Sequence, residues 1–214
     1  MALMKSRTKD EIPKGAVQMT KEEALEYQLK TVQKWPSSYE VWPLKYASPI
    51  CGVASMLSAA FVNTHFRRKL KLFSHHRFAS YVPTVCLPAI MTTLFHSNFV
   101  MTDVLLGETP CPVCVQTRAM AIQVGFGALY PCLLAPISSF MFATRNFTYR
   151  LPDLSKNPFE ILMIAKKMFK PIHGHVAGFV VLHALLAAFL THKEYQTTFW
   201  LREETLRREN AELE

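Results

Sequence analysis

Two cysteines in the stretch LLGETPCPVCVQTR (105–118) are the residues of this sequence best suited to chemistry. Cys111 and Cys114 stand in a Cys-x-x-Cys spacing, and prolines occupy positions 110 and 112. Residues of this type and spacing serve as a redox-active dithiol, as half of a zinc site, or as a disulfide that fixes a turn. The elements on either side of the pair decide which of these chemistries the loop can support.

A structural pair, either bridged or packed without a bond, fits the surroundings of Cys111 and Cys114 best. A thioredoxin-type pair follows a strand in an α/β domain, whereas an apolar span precedes this loop. Arg118 and the start of the next helix would still lower a thiol pKa there, so a redox pair stays an alternative. A zinc site needs about four ligands, and zinc is the second alternative. Its other ligands would come from this set: His96, His192, Asp103 and Glu108.

Apolar residues are concentrated in four blocks that contain no Lys, Arg, Asp or Glu. The blocks cover residues 46–66, 78–101, 119–143 and 172–191. Each is about 20 residues long, which is the length that an α-helix needs to cross a bilayer. The alternative is a soluble helical bundle, but FVVLHALLAAFL (179–190) lacks the polar stripe that such helices carry. We therefore predict an all-α membrane protein with four transmembrane helices and short amphipathic helices at both ends.

Polar segments flank this membrane domain of residues 46–191. Within the N-terminal segment 1–45, Thr20 and Glu23 form a capping-box pattern that predicts an amphipathic helix over about 20–34. Its stripe is too polar to span, so it lies on lipid or on protein. Residues 192–214 are charged and predict a further helix, with Glu–Arg pairs at helical spacing.

The distribution of charge predicts the orientation. The connector 67–77 carries five Lys or Arg and no acid, and the connector 144–171 carries six against two acids. Four spans place both connectors on one side, which the positive-inside rule assigns to the cytoplasm or the mitochondrial matrix. Both termini and the Cys-x-x-Cys loop then lie on the outer side. Because the basic residues only border apolar spans, they indicate contact with membrane lipids and no nucleic-acid site.

Features inside the spans point to helix packing and not to catalysis. Small residues at helical spacing allow close approach of helices in lipid; the positions are Gly52, Ala121, Gly125, Gly174 and Gly178. His183 falls near the middle of its span, where a neutral histidine bonded to a neighbouring helix is expected; a transporter using His183 is the alternative. No phosphate loop, paired carboxylates or cofactor motif is visible, so we predict neither an enzyme nor a cofactor.

Several sequence blocks resemble the transmembrane protein 126 family. They are NTHFRRKL (63–70), CPVCVQTR (111–118) and VGFGALYPCLLAPIS (124–138), with KKMFKPI (166–172) as a weaker match. The resemblance extends over about residues 50–190 and leaves both ends unmatched. The motif positions carried over, with structural roles, are Phe66, Arg67, Arg68, Cys111, Cys114, Thr117, Arg118 and Tyr130.

The resemblance implies a multi-pass protein of the mitochondrial inner membrane. Members of that family help to assemble the membrane arm of respiratory complex I, and they do so without known catalysis, by holding membrane subunits and assembly factors together. The resemblance leaves a second role open, that of an accessory subunit kept in mature complex I or a supercomplex. From another class, a membrane thiol oxidoreductase would use Cys111 and Cys114.

Overall fold

The computed structural model describes residues 18–152 and 158–213, and all regular elements in these ranges are helical. The helices are α1 (Lys21–Lys34), α2 (Trp42–Lys69), α3 (Arg77–Leu106), α4 (Pro112–Arg145), α5 (Pro158–Phe169) and α6 (His173–Leu213). A 3₁₀ turn, Lys170–Ile172, joins α5 to α6. Helices α2, α3, α4 and α6 are long and apolar enough to cross a membrane. The predicted fold class, an all-α protein with four transmembrane helices, is confirmed.

The helices extend beyond the apolar blocks that predict them. The charged tail continues the last span, so that α6 is a single helix of 41 residues and not two elements. Helix α5 lies within the basic connector, where the sequence predicts no helix. The prediction fails because the apolar stripe of α5 is short and is interrupted by lysines. Its Met168 is buried in one cluster with Phe66, Phe140 and Phe142. Residues 1–17 of the predicted N-terminal segment lie outside the described residues.

Helix α1 begins as its sequence predicts. The Thr20 hydroxyl accepts the backbone N–H of Glu23 at 3.3 Å, and the Glu23 carboxylate accepts the backbone N–H of Thr20 at 2.8 Å. This reciprocal pair satisfies amide groups that a helix start leaves free. The apolar stripe of α1 ends in Val32, which packs with Leu105 and Leu201 in one buried cluster. The amphipathic helix therefore lies on protein, against the ends of α3 and α6.

Three π-helical turns interrupt the α-helical hydrogen bonding of the described spans. They are Val82–Cys86 and Ser97–Met101 in α3, and Gly125–Leu129 in α4. The first contains Pro83, and the third ends two residues before Pro131. Pro131 has no N–H to give to the carbonyl of Gly127, and that carbonyl accepts the Ser58 hydroxyl of α2 at 2.6 Å. A proline in one span thus supplies an acceptor that a second span uses.

Contacts between the connectors agree with the alternation of four spans. At one end of the bundle, the His76 ring stacks on Phe142 with centroids 5.0 Å apart, and its Nε2 lies 3.3 Å from Asn146 Oδ1. Both basic connectors therefore meet at this end. At the opposite end, Lys21 of α1 pairs with Glu108 of the cysteine loop at 2.8 Å. The compartment that each end faces stays a prediction.

Candidate functional site

The cysteine loop is held in place by one buried carboxylate. Gly107, with a φ of +64°, ends α3 by donating its N–H to the Asp103 carbonyl at 2.8 Å. This left-handed conformation suits glycine. The Asp103 carboxylate accepts the backbone N–H of Thr109 at 2.8 Å and its hydroxyl at 2.7 Å, and it also pairs with the Arg118 guanidinium. Because Asp103 is buried, these bonds fix the loop on both sides of the cysteines.

The two cysteines contact each other at the start of α4. Cys111 is the N-cap residue, and its Sγ accepts the backbone N–H of Cys114 at 3.3 Å. The two Sγ atoms lie 2.6 Å apart, and both residues are free thiols in the structure. The hydrogen bond from the Cys114 thiol, followed by that from the Cys114 amide, lowers the pKa of Cys111 below its ordinary value. Arg118, which the sequence suggested for this effect, is bonded to Asp103 instead.

The geometry does not assemble zinc ligands around these thiols. No group of three or more His, Cys, Asp or Glu residues that could hold a metal ion occurs among residues 18–152 and 158–213. His96 is paired with Glu194, and the His192 Nε2 lies 3.0 Å from the Gln196 amide nitrogen. Asp103 is occupied by Thr109 and Arg118. A structural pair and a redox pair remain the two interpretations of Cys111 and Cys114.

A second polar site lies inside the bundle, where all four spans contribute side chains. Gln123 of α4 donates its amide to the Cys51 carbonyl at 3.1 Å and lies 2.9 Å from the His183 Nδ1. The His183 Nε2 is 3.0 Å from the Ser58 hydroxyl of α2. Ser55 of α2 bonds Thr92 of α3 at 3.1 Å. We call Ser55, Ser58, Thr92, Gln123 and His183 the polar core.

The polar core matches the expected role of His183 and adds partners for it. His183 is fully buried, and each ring nitrogen faces one side chain of a neighbouring span. Gln123 keeps one buried atom, Oε1, without a partner among the described residues. In hydrocarbon a polar side chain is stable only when its neighbours satisfy it. The arrangement therefore joins helices through its paired groups.

A buried ionisable pair connects α3 with α6 toward the end of the bundle that carries the cysteine loop. The His96 Nε2 lies 3.2 Å from Glu194 Oε1, and the two residues are 1% and 0% exposed. The sequence patterns do not predict this pair, because Glu194 stands three residues beyond the last apolar block. A signal was available: His183, Ala187, Leu190 and Glu194 recur at helical spacing on the buried face of α6.

The family motif positions around Arg67 hold the first connector. The buried Arg67 guanidinium donates to the Ser80 hydroxyl at 2.8 Å and to the carbonyls of Phe73 and His75 at 2.9 and 2.8 Å. Phe66 is fully buried with its ring 5.1 Å from that of Phe169 in α5. These two positions are structural, since they close one end of the bundle.

The other motif positions have simpler surroundings. Arg68 is exposed, and Thr117 donates its hydroxyl to the Val113 carbonyl one turn earlier at 2.9 Å. Tyr130 is half-buried, with its ring 6.3 Å from Phe126. Among the cysteine-loop motif residues, Arg118 alone makes a contact that links two spans, through Asp103.

The small residues fall into two groups. A Cβ added at Gly52 would lie 2.2 Å from the Thr93 hydroxyl, so this glycine permits the close contact of α2 with α3. A Cβ added at Gly125, Gly174 or Gly178 would meet nothing within 4 Å. Ala121 is likewise exposed on α4. These four positions face away from the bundle, toward whatever surrounds the protein in the membrane.

Comparison with known proteins identifies similar chains. The sequence model of the family described as transmembrane protein 126 matches residues 23–208. The chain is 40% identical to transmembrane protein 126 of Drosophila melanogaster over 94% of this chain and 90% of that protein. It is 28% identical to transmembrane protein 126A of Rattus norvegicus and 27% identical to that of Mus musculus, in each case over 72% of this chain and 76% of the relative. No solved structure matches.

Proposed function

This chain belongs to the transmembrane protein 126 family, and on that premise we propose that it is a scaffold of the mitochondrial inner membrane. It assists assembly of the membrane arm of respiratory complex I without catalysis. Its partners are membrane-arm subunits and other assembly factors, which it holds through its membrane-embedded surface. The termini and the cysteine loop face the intermembrane space. A subunit retained in mature complex I or a supercomplex is the nearest alternative.

One observation carries the scaffold proposal: a helix-docking face on the first half of α6 that no part of the described chain covers. Gly174 and Gly178 have no neighbour within 4 Å of an added Cβ, and Val181, Leu182 and Leu185 continue the same exposed side. This side is opposite to His183, which enters the polar core. A helix that contacts only lipid gains nothing from glycine. Two glycines four residues apart on one exposed side therefore favour a second helix as the neighbour.

The interior supports a scaffold over a transporter. The side chains of the polar core bond one another across the four spans, and these bonds fix the packing of the spans. The pair His96–Glu194 is likewise internal and joins two helices. A bundle closed by such bonds presents a defined outer surface, which is the property that binding a partner subunit requires.

The scaffold proposal can be tested in cells that lack the chain and receive wild-type protein or a variant. Mitochondrial membranes are extracted in mild detergent, separated by native size, and analysed by mass spectrometry. We expect the wild type in partial complex I species only. The double variant Gly174→Leu/Gly178→Leu should leave those species and accumulate as a smaller one, because leucines block close approach of a partner helix.

The control is Ala79→Leu, which enlarges an exposed position of α3 away from the docking face. It should co-migrate as the wild type does. Full stoichiometry in mature complex I would replace the assembly role by that of an accessory subunit. Migration of the wild type alone would contradict the scaffold proposal.

A thiol oxidoreductase is the second candidate, and the contact between Cys111 and Cys114 favours it. The Cys111 thiolate would attack a partner protein's disulfide and release one partner thiolate. The Cys114 thiolate would then resolve the mixed disulfide, releasing the second partner thiol. The chain ends with a Cys111–Cys114 disulfide and the partner gains two electrons. Cys114→Ser should then trap a reductant-sensitive adduct through Cys111, and no adduct would leave the pair structural.

A further inference from the structure

A cavity of ≈ 300 Å³ opens between α1, the first turns of α2 and the second half of α3. Its wall is mostly apolar and includes Leu29, Leu44 and Met101. Lys45 and Ser48 are among its polar lining residues. The size is near the lower end for small-molecule sites, which begin at about 300 Å³. We call this cavity the α1 groove.

Ser48 places a buried polar atom without a partner among the residues that line the α1 groove. Its side chain is 7% exposed, and its hydroxyl has no hydrogen-bond partner in the described part of the chain. Thr93, which lines the same groove, has its hydroxyl bonded to the Ala89 carbonyl at 3.0 Å. A buried hydroxyl without a partner is unfavourable, so the position of Ser48 calls for an acceptor supplied from outside the chain.

Lys45 supplies a cation at the same place. It is half-buried, and its ammonium bonds the Ser38 hydroxyl at 3.1 Å. No carboxylate among residues 18–152 and 158–213 lies within ion-pair distance of it. It stands in the first turn of α2 beside Trp42 and Tyr46, aromatic residues of the kind that mark the headgroup level of a bilayer. The unneutralised charge therefore lies where lipid phosphates are found.

We propose that the α1 groove binds one anionic phospholipid from the surrounding bilayer. An acyl chain lies along the apolar wall, the Ser48 hydroxyl donates to a lipid ester oxygen, and the Lys45 ammonium contacts the phosphate. An acyl chain gains little by leaving the bilayer for an equally apolar groove, so the apolar wall gives no selectivity. Preference comes from the charge on Lys45, and it favours an anionic over a zwitterionic headgroup.

The test places the full chain in nanodiscs of equal parts phosphatidylcholine and phosphatidylglycerol that carry the same acyl chains. Native mass spectrometry then counts the lipids retained after release from the disc. We expect one phosphatidylglycerol on the wild type. Lys45→Gln should reduce its retention about fivefold, which corresponds to about 1 kcal/mol for one cation near the surface. Ser48→Leu should displace both lipids by filling the groove.

Lys193→Gln is the matched control, because Lys193 lies near the same end, bonds Gln196, and does not line the groove. It should retain phosphatidylglycerol as the wild type does. Equal retention of the two lipids by the wild type would overturn the proposal. So would an equal effect of Lys45→Gln and Lys193→Gln. The unfolding midpoint of each variant separates loss of lipid from loss of fold, and the Lys45 comparison stands even if Ser48→Leu does not fold.

Discussion

Individual residues hold this bundle together through polar contacts placed where helices come closest. Gly127 is one such point, since a Cβ there would lie 2.8 Å from the His183 ring and 2.9 Å from the Ser55 hydroxyl. The same residue offers its carbonyl to Ser58. Both the ring and the hydroxyls are held by bonds to other spans, so none of them can move aside without losing a partner.

At this scale we predict opposite effects for two glycines two residues apart. Gly127→Ala should destabilise the protein by about 1–2 kcal/mol, because overpacking costs more than the helix gains from alanine. Gly125→Ala has open space and should be neutral or stabilising by up to about 1 kcal/mol. Unfolding in mixed detergent micelles measures both. Equal midpoints for the two variants would show that the polar core does not constrain this turn.

At the scale of elements, side chains bridge helices that are distant in sequence. His96 of α3 and Glu194 of α6 form a buried bridge of two ionisable side chains. A buried polar group without its hydrogen-bond partner is costly, so such a pair is retained only while both members are present. The pair therefore sets the register of α6 against α3, near the level where Asp103 and Arg118 join α3 to α4.

Removing one member of the pair should cost more than removing both. His96→Leu leaves the buried Glu194 carboxyl group without its partner and should lower stability by about 1–3 kcal/mol. The double variant His96→Leu/Glu194→Met should recover most of that loss, because no polar group is left stranded. Glu203→Met is the control. Its pair with Arg207 on the same helix is exposed and contributes only about 0.3–0.5 kcal/mol. A double variant as unstable as the single one would contradict this account.

The start of α1 should depend on pH. The Glu23 carboxylate has a pKa below its ordinary value, because it accepts a hydrogen bond from the backbone N–H of Thr20. A carboxyl group with a lowered folded pKa stabilises the fold fully above its unfolded pKa and loses that contribution as the pH falls through the folded one. Amide chemical shifts of Thr20 and Glu23 should titrate below the ordinary glutamate range. In Glu23→Gln that transition should vanish, and its persistence would mean another group caps α1.

At the scale of the whole molecule, two ends of different character flank the apolar spans. One end carries both basic connectors, which meet at His76 and Asn146. The other carries α1, the cysteine loop and the end of α6, where Trp35 contacts Trp200 with ring centroids 5.8 Å apart. Charge asymmetry of this kind orients a membrane protein during insertion.

We predict that the basic end faces the mitochondrial matrix. A tag after Glu214 should be cleaved by protease once the outer membrane is ruptured. A cysteine at Ser74 in the basic connector should react with an impermeant maleimide only after the inner membrane is opened. Ser74 is exposed in the structure, so its protection would come from the membrane and not from burial. Protection of the tag together with labelling at position 74 would reverse the orientation.

Local sequence determined the spans, the cap of α1 and the family. Apolar length, the Thr20–Glu23 spacing and contiguous motif blocks are properties of neighbouring residues, and each requires only that a helix form. Even the bonding of His183 to neighbouring helices follows from its place at mid-span. Helix α5 is missed because a short amphipathic stripe with lysines is no different locally from a basic connector.

Tertiary structure alone decided which groups meet. Arg118 bonds Asp103 and not a thiol, Glu194 reaches His96, and Gly174 with Gly178 faces outward while Gly52 faces α3. These outcomes depend on the rotation and register of each helix about its own axis. Packing of all four spans sets the rotation and the register together. A short stretch of sequence cannot determine them, because the helix that it contacts lies far away along the chain.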